Sequence, residues 1–62
     1  MNDTSGDLPS LLDRLKGAQH ALIEDAARKP GLPSTAILRK IAELENTIAA
    51  VLALIEEREG RS

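Results

Sequence analysis

The sequence predicts an all-α protein: two helices folded into an antiparallel hairpin, with hairpins pairing into a four-helix bundle. Three observations carry that expectation. Residues 37–55, ILRKIAELENTIAAVLALI, hold large apolar side chains at Ile37, Ile41, Leu44, Ile48, Val51 and Ile55, in alternating gaps of four and three. That is the seven-residue spacing of a coiled-coil seam. Earlier in the chain, Leu8, Leu11, Leu12, Leu15, Leu22 and Ala26 line one helical face, with Ile23 at its margin. Between the two patterns stands Pro30-Gly31-Leu32-Pro33, which ends one helix and allows another to begin.

Taken in order, residues 1–6 (MNDTSG) are polar and unpatterned, and a disordered tail is expected there. Asp7 suits a helix start, and Pro9 suits the first turn, where its missing N–H costs nothing. The first helix is expected over about residues 8–28, close to 32 Å long. Glu24 with Arg28 and Asp25 with Lys29 are acid-before-base pairs four apart, and both cations suit the negative end of the helix dipole. Two residues break the pattern. Gly17 costs roughly 1 kcal/mol relative to Ala and lies opposite the leucine stripe, as a tolerated surface glycine or as a kink or packing site. Gln19 falls within the stripe: either a buried amide that fixes register, or a side chain at the seam's edge with its tip in water.

A residue before proline avoids the α region, so the turn is expected at 29–33, with Leu32 capping the bottom of the core. The second helix should begin with Pro33 in its first turn or Ser34 as its cap, and run over about 34–59, close to 39 Å. Leu-Pro-Ser occurs at 8–10 and again at 32–34, a repeated way to start a helix and not a duplication. Residues 60–62 are expected to fray. A short connection between helices of similar length makes the hairpin antiparallel.

A hairpin alone is not enough. Sixty-two residues form at most one small domain, and apolar burial set against roughly 1.5 kcal/mol of entropy per ordered residue comes out near zero for so short a chain. The chain has no Cys and one His, so disulfides are excluded and a structural metal is not expected. Self-association is the supplement left. The first helix covers one side of the second, but not Leu38, Leu52 and Leu54, nor the small Ala42, Ala49, Ala50 and Ala53. Uncovered, these would form the apolar patch that monomers avoid. The expected interface is therefore Ile37, Leu38, Ile41, Leu44, Ile48, Val51, Leu52, Leu54 and Ile55, with Leu11, Leu15 and Leu22 from the first helix. A C2 homodimer is the commonest solution, and a tetramer sharing the alanine-rich side is the other assembly the pattern allows. Residues 26–42 hold Arg28, Lys29, Arg39 and Lys40 and no acid, whereas the opposite end carries Asp3, Asp7, Asp13, Glu56, Glu57 and Glu59 against Arg14, Arg58 and Arg61. Antiparallel hairpins would set each basic bend beside acidic ends, a bias of about 0–1 kcal/mol per exposed pair.

Composition narrows the function. There are no aromatic residues on which bases could stack, and a net charge of −2 opposes a general grip on phosphate backbones. The absence of Cys and of a basic-then-apolar leader fits a cytoplasmic protein. The longest apolar run, eight residues, falls well short of the about 20 needed to span a bilayer. The initiating Met and polar ends favour a complete small protein over an oligomerisation segment of a longer one. No catalytic residue, cofactor or metal is expected: there is no Cys, Tyr or Trp, Glu43 and Glu45 share no helix face, and no glycine-rich phosphate loop is present. His20 and Glu24, one turn apart, read as a solvated surface pair.

Two functions of different class follow. The first is a non-enzymatic regulator or adaptor that self-associates and docks on a larger protein. The alternative is a nucleic-acid-binding protein using the basic bend, with Arg28, Lys29, Arg39 and Lys40 as contacts for phosphate or an acidic segment. In architecture the expected dimer resembles the small plasmid-encoded RNA-binding proteins built from helical hairpins. Those proteins keep aromatic and polar side chains on their RNA-contacting face; this chain lacks them, so no site residue is carried over. Simple helical hairpins are also common among small protein inhibitors and antiactivators.

Overall fold

A computed structural model describes residues 7–60. It contains two helices, α1 (Asp7–Ala27) and α2 (Thr35–Gly60), and among the described residues no strand. The expected tail at 1–6 and the end at 61–62 lie outside the described residues. The helix bounds fall within about one residue of those expected, with one correction: Gly60 is helical, not part of a frayed end.

The junction follows from backbone accounting. α1 closes with two tightened bonds, the Arg28 N–H to the Asp25 carbonyl and the Lys29 N–H to the Ala26 carbonyl, each 3.2 Å. Such i→i+3 bonds satisfy carbonyls that the helix end leaves orphaned. Pro30 then stops propagation, and Gly31 turns the chain at φ +79°, a conformation that a Cβ would strain. Ser34 caps α2: its Oγ accepts the Ile37 N–H at 3.2 Å, and its carbonyl accepts the Leu38 N–H at 2.9 Å. Of the two starts the sequence allowed, Ser34 is the cap.

Leu32 is a correction. It was expected to close the bottom of the core, but it is 91% exposed. Leu32 follows Gly31, where the chain reverses, and faces away from the seam, and the half-buried Ala26, Pro33 and Ile37 close the base instead.

The helices meet along the expected stripes. Ile48 and Val51 are buried, while Leu8, Leu11, Leu12, Leu15, Leu22, Ile37, Ile41, Leu44 and Ile55 are half-buried. The molecule measures 47 × 22 × 14 Å. Its thinnest dimension is close to one helix diameter, about 10–12 Å, so the hairpin is a single layer with two open flanks. The radius of gyration, 14.6 Å, exceeds the roughly 11 Å of a compact chain this long. The accessible surface is 4738 Å².

Candidate interaction surface

The two flanks differ. One is marked by a cross-helix bond, from the Gln19 amide of α1 to the Glu45 carboxylate of α2 at 2.8 Å. Gln19 is half-buried at the seam's edge, and its exposed tip donates to Glu45. Ile23, one turn on from Gln19, lies on the same flank and is 45% exposed. On α2, Leu38 and Leu52 stand one helical face round from the buried seam on this side, at 47% and 37% exposure.

The opposite flank is an open groove of about 690 Å³, lined by Ala18, Ala21, Leu22 and Asp25 from α1 and Lys40, Glu43, Leu44 and Thr47 from α2. Its floor is apolar and its rim is charged. Leu54, the third flanking leucine, is 37% exposed and lies round α2 on this side. The Thr47 hydroxyl donates to the Glu43 carbonyl at 2.9 Å, so it is occupied by its own helix. The expected interface residues thus divide. The seam residues, with Leu11, Leu15 and Leu22, join the two helices of one chain, while Leu38, Leu52 and Leu54 remain outside that contact.

The basic bend is partly neutralised. Asp25 accepts from Lys29 at 3.2 Å and from Arg28 at 3.4 Å. The expected Glu24–Arg28 pair does not form, because the tightened end of α1 brings Arg28 round to Asp25 instead. Lys29 foremost, by hydrogen bond and charge, and then Arg28 hold the Asp25 carboxyl below its ordinary value against slight desolvation. Arg39 and Lys40 enter no ion pair among the described residues. As neighbours on a helix, 100° apart in direction, they do not converge on one anion.

Among the described residues, no group of three His, Cys, Asp or Glu is placed to hold a metal ion. No described helix is long and apolar enough to cross a membrane. Compared with protein-family models, curated proteins and solved structures, the chain matches none.

The Gln19–Glu45 bond was the feature sequence reasoning did not pair. Gln19 stood out as polar within a stripe, but its partner is 26 positions away, and only the hairpin's register brings the two together.

Proposed function

We propose that this protein is a non-enzymatic regulatory or adaptor module, acting through helix-mediated protein–protein contacts as a homo-oligomer, in first instance a dimer of hairpins. One observation carries the reading: Ile48 and Val51 alone are buried among the described residues, while Ile23, Leu38, Leu52 and Leu54 stand in water on the two flanks of a single-layer structure. Two fully buried side chains, with half-buried ones beside them, make a thin core against the ordering entropy of a 21-residue and a 26-residue helix. A second layer offsets that deficit, and a second copy is the simplest second layer. A larger partner would be met by whatever the dimer leaves uncovered.

The basic bend offers less to nucleic acid than its composition implies, since Asp25 occupies two of its four cations. Light scattering with circular dichroism across a dilution series tests the main reading. A dimeric mass at tens of micromolar, with helicity lost together with mass on dilution, is expected. A compact, fully helical single chain at micromolar concentration would overturn it.

A further inference from the structure

One flank of α2 carries a second seam, exposed along its length, from which Glu45 bonds to α1. Leu38, Ala42, Glu45, Ala49 and Leu52 recur at gaps of four, three, four and three, each one position on from a residue of the buried seam. This row is the flank marked by the Gln19–Glu45 bond, and all five residues are exposed. A seven-residue repeat is the spacing at which a straight stripe of one helix lies against another helix. The alanines permit close approach, and the leucines at either end provide the apolar area.

We propose that this row pairs antiparallel with the same row of a second copy, about a twofold axis passing beside Glu45. The inference rests on the self-association proposed above and adds its face, direction and register. Leu38 and Leu52 lie seven residues to either side of Glu45, so an antiparallel pairing centred there sets each Leu38 against the partner copy's Leu52. Ala42 and Ala49, three residues before and four residues after Glu45, lie one position out of step in the layers between. No other antiparallel register matches leucine to leucine at both ends.

Charge supports the same direction. The next position of the row is Glu56, eleven residues beyond Glu45, and its counterpart eleven residues before is Ser34, the cap of α2. An acidic side chain is thereby placed at the positive end of the other copy's helix dipole. A parallel pairing would instead bring two basic bends together. At the axis the two Glu45 carboxylates face each other, a like-charge contact that costs stability, and each is held by its own chain's Gln19 amide at 2.8 Å. A single polar layer of this kind sets register and orientation at some cost in stability.

The chain has no Cys, so introduced thiols report position without background. The experiment uses full-length Leu38→Cys, Leu52→Cys, Glu45→Cys and Leu54→Cys chains, each checked for helicity and for mass by light scattering, then oxidised. A disulfide needs Cα atoms within about 7 Å. Two copies of Leu38 in the proposed dimer stand about 21 Å apart at 1.5 Å per residue, so neither Leu38→Cys nor Leu52→Cys should link to itself. Their equimolar mixture should link, and Glu45→Cys, at the axis, should link alone. Leu54→Cys, on the opposite flank, should give no covalent dimer. A dimeric mass with Leu38→Cys linking to itself, or with Leu54→Cys linking in place of Glu45→Cys, overturns the inference and leaves self-association standing. A monomeric mass for the unmodified chain removes both.

Discussion

At the scale of single residues, the turn decides where the helices stop. Ser34 satisfies an orphan N–H at the start of α2, so Ser34→Ala should destabilise by about 1 kcal/mol, a fall of roughly 4–8 °C in a thermal melt for a chain of this size. Gly17 has open space where a Cβ would stand, and Gly17→Ala should raise stability by about 1 kcal/mol in the same assay. Leu32 at the apex bears on no packing, so Leu32→Ser should leave the melt within about 0.5 kcal/mol. For Asp25 the sign follows from its lowered value. Its pairs contribute above the unfolded carboxyl value and lose that contribution as pH falls through the lower folded one. The pairs are exposed, so Asp25→Asn should change the neutral melt little and flatten its decline in acid.

At the scale of elements, α2 organises the molecule with two adjacent rows. The first, from Ile37 to Ile55, closes the hairpin around Ile48 and Val51. A charge placed there finds no partner and several apolar neighbours. Ile48→Asp should therefore abolish helicity and association together, read by circular dichroism and light scattering on one sample. Retained helicity in a monomer would show that the hairpin is stable without its copy. α1 contributes a single apolar stripe interrupted by Gln19, and that interruption becomes a contact because Glu45 lies opposite. Both helices and their bounds were legible from spacing, proline and capping chemistry. The direction of Leu32 was not, because an apolar residue in a turn carries no periodicity to say which way it faces.

At the scale of the whole molecule, thinness is the governing fact: a body 14 Å deep has no interior to spare. Assembly through apolar flanks should survive high salt, whereas the preference for antiparallel pairing should weaken. Raising salt from 0.1 M to 1 M shortens the screening length from about 10 Å to about 3 Å. Light scattering should then report an unchanged mass, and the Leu38–Leu52 link should lose part of its advantage over Leu38–Leu38. A mass that collapses with salt would mean that the bends and ends, not the leucines, hold the copies together.

The sequence by itself determined two helices, their stripes and the shortage of core, because periodicity and chain length are local and countable. The tertiary structure decided what depends on two distant segments arriving side by side. It bonded Gln19 to Glu45 and separated the seam spent within the hairpin from the row left facing water. The reason is geometric: one stripe of α1 covers one face of α2, and only the register of their contact shows which residues of the next face remain outside it.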